Sequence, residues 1–527
     1  MKELDKITSK IKKAKEKLLD VNYEKAQIII DKMILLKDNN KTSSAEYQKL
    51  YERAYQHLTL SERIEERGVW HRPCEESLEE LIKMLDDLKS ININGLYVET
   101  FFNGFTIYPS KVMPYHPNLN NVYGEYGNDY LKALIAEASK REIQIHAWVE
   151  NFFVGGKDGL HSDLWEKNPE WQIVNYNQLN YQTGKPGNEE EGFLFFDPAN
   201  IKAQDLILKF YKELISNYEI VGIQLDYIRY PSANENYIYS SGYTEYAINK
   251  FKDEYQLEIE NIFEYVKQDE NYQLWNKWRQ GEITKFVKRV YQLVRALDKN
   301  ILLSIAVGPE INYAKTNLMQ DWGTWVVNGW IDIVAPMAYV ESKDFIKFII
   351  NKLNETTKGL TYNYTGIAPT YHGLPDILNT YFIDESNKCG ALGSIIFAYH
   401  NLVDNIEVKE TLIRGTHRHK AISPHQEVSK LLEVLIADIK EKAINIYLDS
   451  GLITAKTIDK LIKILNSKYQ NLTELKQNVE LAIDYINKKN NIVSNNIIEM
   501  LKRFMKIINI KEQRCYCRKE SKDENIY

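Results

Sequence analysis

Eight short apolar, β-rich runs, separated by segments of helical spacing, constrain this chain more than any other feature. They fall at residues 68–71, 93–99, 143–150, 221–229, 301–307, 332–340, 365–371 and 392–400. Strands that alternate with helices build βαβ units and a parallel sheet. Eight such units in series predict a closed barrel rather than an open doubly wound sheet. The first run is followed by no glycine-rich phosphate loop, which argues against a nucleotide-binding doubly wound fold. The expected fold class is α/β: a (β/α)8 TIM barrel over residues 64–412 with α-helical appendages at both ends.

The appendages have a different texture. Residues 1–60 place Ile7, Ile11, Leu18 and Leu19 at helical spacing among lysines, without glycine or proline. They predict a helical arm, a hairpin broken near 39–44. Residues 425–512 are helical again through Val428, Leu431, Leu432, Leu435 and Ile436, with a start signal at Ser423-Pro424 and a break at Asp449-Ser450-Gly451. The charged residues 513–527 are expected to be disordered. Each appendage carries its own amphipathic pattern, so both are expected to be removable without unfolding the barrel.

Composition sets further bounds. The 527 residues are 44% hydrophobic and 27% charged, enough apolar material for a large core. A net charge of −6 gives no general pull toward nucleic acid or an anionic membrane. Cys74, Cys389, Cys515 and Cys517 form neither a disulfide framework nor a zinc-type CxxC pair and read as reduced thiols. The lysine-rich N-terminus lacks the apolar stretch of a secretory signal, and no run approaches the roughly 20 apolar residues of a membrane helix. A cytoplasmic location without a membrane span is therefore expected. The helical arms offer a route to homo-oligomers.

Chemistry on a TIM barrel sits at the C-terminal ends of the strands. Those ends offer Glu99, Glu150, Asp226 followed by Arg229, Tyr339, Tyr371 with His372, and Tyr399 with His400. Strand periodicity puts Tyr97 and Glu99 on one face, His146, Trp148 and Glu150 on another, and Gln224 with Asp226 on a third. Polar groups inside a barrel are costly unless paired or used. Three carboxylates at one rim therefore point to paired-carboxylate chemistry, as glycosidic cleavage requires. The bland alternative is an ion-pair network through Arg72 or Arg229. His146, deep in its strand, reads first as a core histidine, and Trp322, Trp325 and Trp330 fit a core as well as a sugar platform. The long insertion after the third run, with Trp165, Trp171 and the stretch 184–192, is expected to wall a cleft.

Several motifs carry a family resemblance. They are Arg67-Gly68-Val69-Trp70-His71-Arg72-Pro73, Val98-Glu99-Thr100, Tyr108-Pro109-Ser110, His146 through Gly155, Phe196-Asp197-Pro198-Ala199-Asn200, Asp226-Tyr227-Ile228-Arg229-Tyr230-Pro231, Gln320-Asp321-Trp322 and Ala335-Pro336-Met337-Ala338-Tyr339. Together they resemble glycosyl-hydrolase-like family 10, TIM barrels long described as a domain of unknown function, over residues 64–412. The resemblance implies a glycosidase acting on a bacterial cell-wall glycan or an amino-sugar-rich exopolysaccharide, and the family's strand-four aspartate falls on Asp226. It also implies that relatives are commonly exported.

The reading that follows is an O-glycosyl hydrolase. Asp226 is the expected acid, Glu150 the nucleophile or water-activating base, and Glu99 the reserve. Substrate contacts are expected from His71, Arg72, His146, Trp148, Asn151, Tyr227, Arg229, Tyr339, Tyr371 and His400. The partner is a poly- or oligosaccharide, with no nucleic acid, metal or cofactor. A 2-acetamido sugar would supply its own nucleophile and leave Glu150 a binder. The rival readings are a non-catalytic carbohydrate-binding barrel and a helix-mediated scaffold.

Overall fold

The apolar runs pair in chain order and close on themselves. The computed structural model describes residues 2–39, 41–42, 44–183, 190–233 and 236–520. Its barrel strands are β1 (Glu66–His71), β2 (Gly95–Phe102), β3 (Gln144–Glu150), β4 (Gly222–Asp226), β5 (Leu302–Val307), β6 (Ile333–Pro336), β7 (Tyr362–Ile367) and β8 (Gly393–Phe397). Each pairs in parallel with its neighbour, and β1 pairs with both β2 and β8. The fold is a (β/α)8 barrel ringed by helices.

Four strands end earlier than their sequence runs. Tyr227 takes φ +46°, a left-handed conformation that stops β4. β6 ends on Pro336, and Pro369, which has no N–H to give a ladder, lies just beyond β7. β8 gives way to a short helix, Tyr399–Val403. Tyr339, Tyr371 and His400 therefore stand in loops or on that helix rather than at strand ends.

The N-terminal arm is three helices, Lys2–Glu16, Tyr23–Asp38 and Ala45–His57, rather than a hairpin. The extra break follows from Leu18 at φ +49° and from Asn22, whose side chain accepts the Lys25 N–H as an N-cap. Leu4, Ile7, Ile30, Met33, Tyr47 and Ala54 form a small apolar cluster of their own.

The C-terminal helices are not independent. Helices Val428–Lys442, Ala455–Leu465, Leu472–Asn487 and Ile492–Glu520 share one apolar cluster with the barrel's interior residues Trp70, Tyr97, Trp148, Tyr362, Tyr364 and Ile395. They plug the end of the barrel from which the strands start. His425 enters there: its Nδ1 lies 3.0 Å from the Tyr364 hydroxyl and its Nε2 lies 2.9 Å from Gln144 Oε1. Lys511 Nζ donates to the carbonyls of His425 and Gln426 at 3.0 and 2.7 Å, and Arg514 pairs with Asp332. Beside His425, burial pushes the Glu66 carboxyl up to about 7, against a hydrogen bond from Tyr97. Gly95 and Gly393 flank Glu66, and a Cβ at either would collide with that side chain. The last helix continues to Glu520, so residues 513–520 are helical rather than disordered. Residues 521–527 of the expected tail, 184–189 of the insertion and 40 and 43 of the expected arm break lie outside the described residues. Among the described residues no helix is long and apolar enough to cross a membrane.

Each buried Leu or Ile of the shared cluster contributes roughly 1.5–3 kcal/mol, so the two appendages should respond differently to removal. Deleting residues 425–527 is expected to abolish cooperative unfolding of the barrel, whereas deleting 1–55 should leave a single transition. Calorimetry on the two truncations checks this, and a barrel that melts cooperatively without 425–527 would contradict it.

Candidate active site

The three rim carboxylates come from neighbouring strands in matched register. Glu150 pairs with Asp226 across β3 and β4, and Glu99 pairs with Trp148, itself paired with Gln224. Period two then turns Glu99, Trp148, Glu150, Gln224 and Asp226 into the barrel. The β2 register slips between Glu99 and Phe101, a bulge that ends regular pairing at the site. One layer further down, Trp70 Nε1 donates to Gln224 Oε1 at 2.5 Å.

Asp226 is 7% exposed. Its Oδ2 accepts the Trp148 indole N–H at 2.9 Å, and its Oδ1 accepts the Tyr227 backbone N–H at 2.6 Å. Burial pushes this carboxyl up to about 6. The Tyr227 and Trp148 donors and Arg229 oppose the rise, while Glu99 adds to it. A carboxyl with such a pKa can hold a proton close to neutrality and give it up easily.

Glu99 and Glu150 are buried beside it and share one cation. Arg72 Nε donates to Glu99, while its Nη2 donates to Glu99 at 3.0 Å and to Glu150 at 3.2 Å. The Asn103 backbone N–H donates to Glu150 at 3.0 Å. Burial first, and the charge of Glu99 second, hold the Glu150 carboxyl well above the usual carboxylate range. Arg72 and the Asn103 N–H act the other way. The two carboxyls thus face a single guanidinium together.

Aromatic rings surround this trio. Tyr227 stacks on Phe153 at 4.7 Å, with the Arg229 guanidinium 4.7 Å from its centroid. Arg229 in turn pairs with Glu190 at 2.8 Å. Burial, then the charge of Asp226, raises the Tyr339 hydroxyl well above its ordinary value. Phe397 lies 5.7 Å from Tyr339, 5.1 Å from half-exposed Tyr371 and 6.4 Å from Trp148. His71 lies at the same end, its Nε2 3.1 Å from Glu75 and its ring 4.9 Å from Tyr399.

Three of the expected substrate contacts, His146, Asn151 and His400, stand elsewhere, and a fourth, Trp148, is engaged by Asp226 itself. His146 is fully buried in the interior, stacked on Tyr97 at 4.5 Å and edge-on to His425 at 5.4 Å, and burial lowers its pKa to about 3. Gly222 leaves it room, since a Cβ there would lie 2.7 Å from His146 Nδ1. Asn151 is also buried: its Nδ2 donates to the Val149 and Asp226 carbonyls at 3.1 and 2.8 Å, and its Oδ1 accepts from Tyr211. It fastens β3 to β4. Trp148 is a positioning donor to Asp226. His400 is exposed on the short helix after β8. Trp322 and Trp325 belong to the core, and the half-buried Trp165 and Trp171 pack against it.

Sequence reasoning missed Phe397 and Glu190. Phe397 is the last residue of β8, three residues short of the end of the apolar run that predicts this strand. Glu190 gave no sequence signal, since its partner Arg229 is distant along the chain. Among the described residues, no group of three or more His, Cys, Asp or Glu is arranged to hold a metal ion.

The profile of a family described as "Glycosyl hydrolase-like 10" matches residues 65–370. "Glycosyl hydrolase YngK" of Bacillus subtilis (strain 168) is 26% identical over 290 residues, covering 50% of this chain and 49% of that protein. "Glycosyl hydrolase DigH" of Escherichia coli (strain K12) is 22% identical over 276 residues, covering 49% and 57%. The chain thus spans about half the length of the curated relatives it matches. In fold it resembles the glycoside hydrolase domain of PgaB (BpsB) from Bordetella bronchiseptica, with 12% identity, a TM-score of 0.50, and coverage of 67% of this chain and 99% of that one.

The pair held by Arg72 has a pH signature. Glu150 has a folded pKa above its unfolded value of 4.5, so its stabilising contribution is full below that pH and is lost as pH rises. Arg72 limits the loss. Arg72 is half-exposed, so Arg72→Gln should cost on the order of 1 kcal/mol at pH 8 and less at pH 5. Denaturant melts at the two pH values check this, and equal losses would refute the shared-charge description.

Proposed function

We propose a hydrolytic function for the chain, which belongs to the glycosyl hydrolase-like 10 family. Its substrate is an O-glycosidic bond in a bacterial polysaccharide, either a cell-wall glycan or an amino-sugar-rich exopolysaccharide. The observation that carries the reading is Asp226, a buried carboxyl raised to about 6 at the catalytic end of the barrel, in register with Glu150. Asp226 gives its proton to the leaving oxygen as the glycosidic bond breaks.

Glu150 is the group for the anomeric carbon. Adjacent strands lie about 4.8 Å apart, which supports the short carboxylate separation of a retaining site, about 5–5.5 Å. Glu150 acts in its ionised form, which Arg72 and the Asn103 N–H stabilise. Glu150 forms the glycosyl ester as the leaving group departs with the Asp226 proton. Asp226, now a carboxylate, takes a proton from the water that opens the ester. Tyr227, Tyr339, Tyr371 and Phe397 supply flat faces for sugar rings at the rim.

A second reading is favoured by Arg72, which engages both Glu99 and Glu150 and could keep them as a structural network. The barrel would then bind a glycan without cleaving it. Reducing-end assays on peptidoglycan, chitosan and poly-N-acetylglucosamine separate the two: release of new ends supports hydrolysis, while binding without release supports the second reading.

For the hydrolase, Asp226→Asn should lower turnover of the polysaccharide by roughly 10²–10⁴ and recover part of that loss on an activated aryl glycoside. Glu150→Gln should show no such recovery. The wild-type rate should fall as pH rises through about 6, where Asp226 loses its proton. Wild-type turnover by Asp226→Asn on the polysaccharide would rule out the acid role.

A further inference from the structure

A lysine-lined groove lies at the end of the barrel opposite Asp226. Helix Lys2–Glu16 runs along it, and Lys6, Lys10, Lys13 and Lys17 line a cavity of about 690 Å³ together with Lys388. Asp5 is the one acidic residue on its wall. At 1.5 Å per residue the row of four lysines is about 16 Å long. Lys388 ends helix Ile377–Lys388, which feeds the start of β8, so the groove is remote from the catalytic rim.

The charges in this groove are poorly compensated. Lys388 pairs with Asp384 at 2.5 Å, but among the described residues no ion pair engages Lys6, Lys10, Lys13 or Lys17. Lys12, on another face of the same helix, does find an acid in Glu16 at 4.0 Å. The Lys10 ammonium sits 3.9 Å from the centroid of Tyr55, whose hydroxyl donates to Asp384 at 2.9 Å. Burial pushes Lys10 down to about 8; Asp384 opposes this and Lys388 and Lys343 reinforce it. Unpaired cations held in a concave site raise the local potential and favour a ligand with several negative charges. The volume is that of a ligand site. Leu19 and Lys388 also line a second cavity of about 520 Å³ of mixed charge, so the groove continues beyond the helix.

We propose that this groove anchors a linear anionic glycan, one carrying uronates or phosphodiesters along its length. The choice of a glycan over a nucleic acid rests on the proposed function and on the absence of half-exposed aromatic rings from the lining for bases to stack on. A row of compact ammonium groups suits a chain of evenly repeated charges, read without base-like geometry. The anchor is separate from catalysis and would hold the enzyme on an anionic glycan of the surface where its substrate lies.

The test uses full-length protein carrying Asp226→Asn, so that binding is read without turnover and stands apart from whether the barrel hydrolyses anything. Fluorescently labelled oligogalacturonate and a single-stranded DNA of matched charge are titrated across a salt series. The oligouronate should bind with an affinity that falls as salt rises. Lys6→Gln/Lys10→Gln/Lys13→Gln should weaken it about tenfold at low salt and reduce the slope of log K against log salt by about three. Thermal midpoints confirm that the variant folds, and the exposed pair Lys13→Gln/Lys17→Gln serves if it does not. An unchanged slope, or tighter binding of the DNA than of the oligouronate, would overturn the proposal.

Discussion

Closure of the barrel through β1, hydrogen-bonded to β2 on one side and β8 on the other, governs the rest of this molecule. Once the ladder is closed, water is excluded from its interior and polar side chains turned inward must be paired there. The structure meets much of this demand layer by layer, while both ring nitrogens of His146 and Nε2 of Gln224 are left without a hydrogen-bond partner. At the bottom Tyr97 donates to Glu66 at 3.1 Å, beside His425. In the middle Trp70 donates to Gln224. At the top Trp148 holds Asp226, and Arg72 spans Glu99 and Glu150. The same low-dielectric setting that makes these partners necessary also raises the rim carboxyls.

The plug at the other end is part of this electrostatic design. The C-terminal helices fill the mouth where the strands begin, at the end opposite the carboxylates. Without that plug His146, His425 and Glu66 would be hydrated. The groove of the N-terminal arm uses the same outer surface for a different purpose, since its lysines face a cavity instead of the core.

Much of the fold was legible because barrel strands are nearly continuous apolar runs whose inward faces follow period two. Glu99, Glu150 and Asp226 were found this way, as polar exceptions at positions that otherwise fill a core. Strand ends were less legible, since they depend on backbone events such as the left-handed Tyr227 and the missing donor of Pro369. Asn151 was misread because its motif position is next to the site while its amide is spent on two backbone carbonyls. His146 is legible from its depth in the strand as a core histidine, while its neighbours, Tyr97 on the next strand and His425 far along the chain, are not. The shared core of the C-terminal helices was hidden for a related reason: an amphipathic stripe tells that a helix needs a partner and not which one.

The central claim is that Asp226 keeps its proton into the range where catalysis would use it. Carbon-13 NMR of aspartate side-chain carboxyls, assigned by comparison with Asp226→Asn, measures this in the folded protein without any substrate. The account expects the Asp226 resonance to titrate with a midpoint near 6. A midpoint at or below the ordinary aspartate value of 3.8 would contradict it, because the carboxyl would then be ionised and unable to serve as the acid.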